Sequence, residues 1–130
     1  MMFTEESLVA VNQRLLEAIA DGDWTTYQEL CDPALTAIEP ESEGLVVEGL
    51  GFHKFYFDLG GVRGKHRTTV HKPHVQIIGE TGILGYVRLV QCLDDGGRPR
   101  TVTNAETRIW KWTGNAWVHV HFHRTPLASR

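Results

Sequence analysis

The stretch Ile83–Trp112, ILGYVRLVQCLDDGGRPRTVTNAETRIWKW, decides the architecture. β-Branched and aromatic residues fill both arms. Between them Asp94-Asp95-Gly96-Gly97-Arg98-Pro99 supplies glycine turn chemistry, so the arms read as two strands joined as a hairpin. Working outward, the same pattern predicts strands over Thr68–Ile78, Ile83–Leu93, Thr101–Trp112 and Ala116–Thr125. The remaining links, Gly79-Glu80-Thr81-Gly82 and Thr113-Gly114-Asn115, are equally short. The second half of the chain is therefore expected to be an antiparallel meander.

The first half reads as helical. Thr4 is a candidate N-cap, followed by Glu5 and Glu6 in the first turn, where negative charge suits the helix dipole. Leu8, Val11, Leu15 and Ile19 give one apolar face. Gly22 offers the left-handed stop, and Asp23 caps a short second helix carrying Trp24, Tyr27, Leu30 and Cys31, which Asp32-Pro33 ends. Leu35–Glu39 predicts a short strand, and Leu45–Val47 a segment that pairs back on it. Gly49–Leu59 predicts a third helix with Phe52, Phe55, Tyr56 and Leu59 as its aromatic face. Helices over 4–59 and a sheet over 68–125 make an α+β plan, one domain spanning 1–130, with the long helix packed into a curved sheet.

Composition narrows the function. A chain of 130 residues has room for one domain. With 42% hydrophobic and 22% charged residues it is ordinary globular material. Thirteen Lys and Arg against sixteen acids give a net charge of -3, which speaks against nucleic-acid or polybasic membrane binding. No apolar run approaches the ~20 residues of a membrane span. The acidic opening MMFTEES does not read as a signal peptide, and Cys31 and Cys92 read as reduced core residues, so a cytoplasmic location is expected.

Three neighbouring strands each carry an arginine among apolar residues. Side chains alternate faces along a strand, so Arg88 shares its face with Leu84, Tyr86, Val90 and Cys92. Arg108 goes with Glu106, Trp110 and Trp112, and Arg124 with Val118, Val120 and Phe122. Turn centring places Arg88 opposite about Glu106 and Arg108 opposite about His121. Strict parity then sends Arg108 to the histidine face, and a bulge in the last hairpin is needed to bring the three arginines together. Two readings stand at this point. In one, the guanidinium groups form an anion-binding concavity, since their forked donors suit a carboxylate or phosphate. In the other, each arginine pairs with an internal acid such as Glu106 or Glu39, or extends to the rim.

His119-Val120-His121-Phe122-His123 places three histidines on one face by simple alternation. Zinc would want a further ligand that the sequence does not position, so no metal is expected, and no cofactor motif occurs. His53 and Tyr56 on the third helix are candidate polar groups, with packing the commoner role for Tyr56. Trp110, Trp112 and Trp117 exceed what a small core easily hides, which suggests a subunit interface or a filled space between helix and sheet.

Several blocks together carry a family resemblance. They are Leu30-Cys31-Asp32-Pro33-Ala34-Leu35-Thr36-Ala37-Ile38-Glu39-Pro40-Glu41, Val47-Glu48-Gly49, Phe52-His53-Lys54-Phe55-Tyr56-Phe57, Pro73-His74-Val75, Tyr86-Val87-Arg88-Leu89, Glu106-Thr107-Arg108-Ile109-Trp110 and Val120-His121-Phe122-His123-Arg124. In order, they resemble the association (hub) domain of calcium/calmodulin-dependent protein kinase II. The resemblance implies a cystatin-like, nuclear transport factor 2-like cone, a long N-terminal helix in a strongly curved antiparallel sheet. It implies homo-oligomerisation, with dimers assembling into stacked rings. It also implies a pocket for a small carboxylate or other anion, formed by Arg88, Arg108, Arg124 and His53, with Tyr56 and Glu106 beside them. It supplies the bulge that the register argument lacked.

No kinase domain and no calmodulin-binding segment is recognisable here, so a stand-alone hub is expected, with kinase domains as partners if the chain belongs to a larger protein. No catalytic set is recognisable either. The alternatives are a small enzyme of the ketosteroid isomerase or SnoaL-like kind, and a small-acid carrier. In the enzyme, Glu39 or Glu106 would act as base and Tyr56, His53 or an arginine as donor. Arginines beside the carboxylate would depress its pKa and weaken it as a base.

Overall fold

The helix-start chemistry read from the sequence governs the N-terminal half of the computed structural model, which describes residues 1–128. Ser129 and Arg130 lie outside the described residues. Thr4 accepts a hydrogen bond from the Ser7 amide at 3.0 Å, and Ser7 Oγ accepts from the Thr4 amide, opening α1 over Glu5–Asp21. Gly22 closes it in the left-handed conformation. Asp23 takes the Thr26 amide at 3.1 Å and caps α2, Trp24–Leu30. The chain then runs through β1 (Cys31–Ile38), a 3-10 turn (Pro40–Ser42), β2 (Val47–Glu48) and α3 (Gly51–Asp58). The sheet is completed by β3 (Arg67–Ile78), β4 (Thr81–Leu93), β5 (Pro99–Trp112) and β6 (Trp117–Pro126).

The fold is the expected α+β plan, with the N-terminal helix packed on one six-stranded sheet. Its sheet order is β2-β1-β6-β5-β4-β3. The meander of β3 to β6 is antiparallel, as the turns predicted. The sheet as a whole is mixed rather than purely antiparallel, because β1 lies parallel to β6. β1 also starts four residues earlier than expected. Cys31 already pairs with His119, and an irregularity between Cys31 and Thr36 absorbs Pro33, which has no N–H to give a ladder. Val47 and Glu48 pair back on Ala37 and Thr36, starting two residues later and ending one residue later than expected.

The register of the long hairpins corrects two sequence estimates. Arg88 lies opposite Asn104, and Tyr86 opposite Glu106. Arg108 lies opposite Phe122, not His121, and Glu106 opposite Arg124. Between Ile109–His121 and Trp110–His119 the ladder skips Val120, which is the required bulge. That extra residue reverses the alternation within β6. Trp117 and His119 are buried on one side of it and Phe122 on the other. His119, His121 and His123 therefore do not share a face: His119 is fully buried, His121 half-buried and His123 exposed.

α1 packs against the sheet through Leu8, Val11, Leu15 and Leu16, all buried. Leu8 sits over Gly82, where a side chain would meet its Cδ2 at 2.5 Å. Trp110 donates its indole N–H to Asn12 Oδ1 at 3.0 Å, and Trp117 donates to Ser7 Oγ at 3.0 Å. Trp110, Trp112 and Trp117 thus fill the helix–sheet space and are not surface aromatics. The helix α3 expectation also reverses. Its inward residues are His53 and the half-buried Phe57, one turn apart; of the expected face Phe52 is half-buried, Tyr56 is partly exposed, and Phe55 and the C-cap Leu59 are exposed. No helix among the described residues is long and apolar enough to cross a membrane.

The return from α3 to β3 presses its backbone onto the end of α1. Val62 N–H donates to the Ala20 carbonyl at 2.7 Å, and a Cβ on Gly61 would lie 2.4 Å from that oxygen and 2.6 Å from Gly22 N. All three nearest atoms are backbone, which cannot move aside as a side-chain tip can. Gly61→Ala is expected to cost about 2 kcal/mol by overpacking. Denaturant unfolding of the variant measures it, and a shift below half of that contradicts the packing described.

Candidate functional site

The bulge at Val120 and the alternation of β4 and β5 bring Arg88, Arg108 and Arg124 onto the concave side of the sheet. α3, α2 and the 3-10 turn face them. Between these elements lies a cavity of about 270 Å³. Arg88, Arg108, Arg124 and Phe122 line it from the sheet, and Tyr27, His53, Tyr56 and Phe57 from the helices. Glu39 and Glu41 line it from the turn after β1. A larger recess of about 810 Å³ lies between Gln91, Arg100 and Leu127, but those residues are exposed. Buried charge converges on the smaller cavity, which makes it the candidate site.

Glu106 stands behind the cavity and organises it. Its Oε1 accepts from Tyr86 Oη at 2.7 Å and from Arg108 Nε at 3.0 Å. Arg108 Nε also donates to Tyr86 Oη at 3.1 Å, and the guanidinium lies over the Phe122 ring at 4.2 Å. Arg88 Nε approaches Glu106 Oε2 at 3.0 Å, an ion pair by distance in which neither atom completes a hydrogen bond. Burial pushes the Glu106 carboxyl up, but Arg108 and Arg88 outweigh it and hold the group below the usual carboxylate range. Arg108 moves the other way in spite of burial, because Glu106 and Tyr86 hold it charged. Burial pulls Arg88 down against the attraction of Glu106.

Arg124 is held differently. Its Nη1 donates to Asn104 Oδ1 at 2.9 Å, its Nη2 donates to Glu41 Oε2, and its Nε lies 3.7 Å from Glu39 Oε2. Glu39 Oε1 is paired with His53 Nε2 at 3.0 Å. Burial raises Glu39, but the hydrogen bond and charge of His53, then Arg124 and Arg108, bring it below its ordinary value. His53 Nδ1 is buried without a partner.

Of the six residues singled out by sequence, Arg88, Arg108, Arg124, His53 and Tyr56 line the cavity. Tyr56 stands at its rim, 38% exposed, and is not packed in the core. Glu106 does not line it but supports two of the arginines that do. The reading in which the arginines pair with internal acids is observed, through Glu106, Glu39 and Glu41, and the same three arginines face a cavity. Sequence reasoning missed Asn104, which shares the Glu106 and Arg108 face by simple alternation. Glu41 and Tyr27 carry no local pattern that marks them. Glu39 in the cavity wall and Glu106 behind it are both held below the ordinary carboxylate range by cationic and hydrogen-bonding neighbours, which makes each a weak base for proton abstraction.

His119 sits under this cluster. Arginine has donors alone, so the 3.5 Å approach of Arg108 Nη1 makes His119 Nε2 an acceptor. The proton is then on Nδ1, 3.4 Å from Cys31 Sγ. Burial, then Arg108, push His119 well below its ordinary pKa, and burial pushes the Cys31 thiol up to about 12. The pair is a neutral packing element, not a thiolate. Among the described residues no group of three His, Cys, Asp or Glu side chains converges on a metal position.

The chain was compared with known proteins. A family model described as the calcium/calmodulin dependent protein kinase II association domain matches residues 4–128. The calcium/calmodulin-dependent protein kinase type II alpha chain of Drosophila melanogaster is 44% identical over 129 residues, covering 95% of this chain and 24% of that protein. This chain thus spans about a quarter of that relative's length. The solved hub homology domain of Chlamydamonas reinhardtii superposes with a TM-score of 0.88 at 39% identity, covering 95% of this chain and 98% of that one. A nuclear transport factor 2-like protein from Salmonella enterica shares the fold, with a TM-score of 0.75 at 21% identity over 95% of this chain and 91% of that one.

A neutral buried His119 makes stability fall with acid. Its folded pKa is depressed, so its contribution is present above about pH 6.5 and is lost as pH falls from there towards the folded value. The unfolded chain takes up a proton that the folded chain refuses, at up to about 1.4 kcal/mol per pH unit. His66, paired with Asp21 at 2.7 Å, is raised and shifts stability in the opposite sense, so a variant isolates the effect. His119→Gln is expected to flatten the stability profile between about pH 7 and pH 5 relative to the unsubstituted protein. Parallel profiles from denaturant titrations would rule out the neutral assignment.

Proposed function

The chain belongs to the calcium/calmodulin-dependent protein kinase II association domain family, and from this premise we propose that it is a homo-oligomerisation hub carrying a pocket for a small carboxylate. The family match over residues 4–128 carries the first part. The surface supports it. Phe55 on α3 and Leu59 just after it are 62% and 67% exposed, and Leu45 and Val46 before β2 are 69% and 63% exposed. Large apolar side chains left open in one subunit suit burial between copies. On this reading dimers assemble into stacked rings, and the hub gathers kinase domains where it is joined to them. A cytoplasmic setting is part of the same proposal.

The second part is supported by the arginine-lined cavity, and above all by Arg88. Among the described residues its guanidinium completes no hydrogen bond, although Arg88 is nine-tenths buried and lies against Glu106. A buried guanidinium with free donors gains more from an entering carboxylate than a surface arginine would. The cavity of about 270 Å³ limits the ligand to a small acid. His53 and Tyr56 stand where a polar group on that acid would meet them.

Light scattering after size exclusion tests the assembly. A particle mass many times the 14.7 kDa chain is expected, and a mass of one or two chains overturns the ring. Arg88→Ala tests the pocket. It is expected to weaken binding of small carboxylates at least tenfold, the value of a charge-assisted hydrogen bond of about 1.5–3 kcal/mol, while leaving the particle mass unchanged. Equal affinity in the variant and the unsubstituted protein overturns the pocket assignment.

A further inference from the structure

The two outer arginines of the cavity differ in what already occupies them. Arg88 carries no completed hydrogen bond, whereas each edge of Arg124 is occupied or faced: Nη1 by Asn104, Nη2 by Glu41 and Nε by Glu39. Asn104 and Glu39 belong to the buried frame. Glu41 does not. Its side chain is 37% exposed, and it lines the cavity from the 3-10 turn Pro40–Ser42. The turn itself is pinned on both sides of Glu41. Ser42 Oγ donates to the Glu39 carbonyl at 2.8 Å and accepts from the Glu39 amide at 3.2 Å. A fixed backbone therefore presents a solvent-reachable carboxylate to the guanidinium edge that faces the cavity.

We infer that Glu41 is a tethered internal ligand of the cavity, a carboxylate that occupies Arg124 until a small carboxylate from solution displaces it. This rests on the carboxylate-pocket reading above and specifies how that site is regulated. A carboxylate held on a short turn acts at a high effective concentration, so it screens out weak anions. An incoming acid shares Arg88 with Glu106, which stands behind the cavity and does not line it. It reaches Arg124 only by releasing Glu41 to water, and Glu41 is free to leave because it is the one acid of the site at the surface. Glu39 cannot take that part, since its Oε1 is committed to His53 inside the protein. Glu41 thus sets the threshold of affinity and favours acids able to engage both arginines together.

Equilibrium dialysis of labelled propanoate against the full chain provides the test, with propanamide as the uncharged control. Glu41→Ala is expected to lower the dissociation constant for propanoate about fivefold, the upper range for a part-exposed ion pair. Glu41→Gln, which keeps shape and loses charge, is expected to act in the same direction. Neither is expected to change propanamide binding. In an Arg124→Ala background the gain from Glu41→Ala is expected to vanish, because the competed group is gone. Unchanged or weaker propanoate binding in both Glu41 variants, with Arg88→Ala still weakening it at least tenfold, overturns the tethered ligand and leaves the pocket standing. A gain that persists without Arg124 also overturns it, since it would reflect removal of negative charge at the mouth. Failure of propanoate to bind the unsubstituted protein and every variant overturns the pocket reading and this inference with it.

Discussion

The concave side of this protein is built around one buried carboxylate. Glu106 joins Tyr86, Arg108 and Arg88 at 2.7–3.0 Å, deep in a place where an isolated charge would be prohibitively costly. Removing that carboxylate would leave two cations facing each other across neighbouring strands. The cluster therefore ties the register of β4 to that of β5, since a one-residue slip would send Tyr86 and Glu106 to opposite faces. It also sets the direction of the arginines. Arg108 lies over the Phe122 ring, and Arg88 is drawn towards Glu106 at the base of the cavity.

The bulge at Val120 extends this frame to β6. One additional residue reverses the alternation, so that Phe122 and Arg124 join the face of Glu106 and Arg108 while His119 stays inside on the other side of the bulge. The result is a core with two characters. One end is apolar and aromatic, with Trp110, Trp117, Leu8 and Leu15 around α1. The other is polar, and every acid in it is matched by an arginine or histidine. A cavity at that polar end suits a ligand that is itself charged, and its walls are held by paired charges rather than by loops.

The surfaces complement this division. α3 contributes His53 and Phe57 inward and Phe55 and Leu59 outward, so one short helix serves the pocket wall and the apolar exterior together. The 3-10 turn likewise links Glu39 and Glu41 in the cavity to the exposed Leu45 and Val46 that follow. The cavity wall and this exposed apolar surface therefore share two short stretches of chain.

The helix caps at Thr4 and Asp23, the left-handed stop at Gly22 and the meander turns were all legible in the sequence, because each depends on residues within a few positions. The grouping of Arg88 with Tyr86, and of Arg108 with Glu106, was legible too, since strand parity is local. Parity also marked Arg124 and the need for a bulge to bring it to the other two, and the family resemblance implied that the bulge is there. Tertiary structure decided the rest. Which residue forms the bulge, and so which histidine is buried, depends on pairing between β5 and β6 and not on β6 alone. The parallel seat of β1, the outward turn of the α3 aromatics and the burial of the tryptophans follow from which surfaces meet. The meeting of Glu41 with Arg124, 83 residues apart, has no local signal at all. Periodicity assigns a side chain to a face, but only packing determines what that face meets.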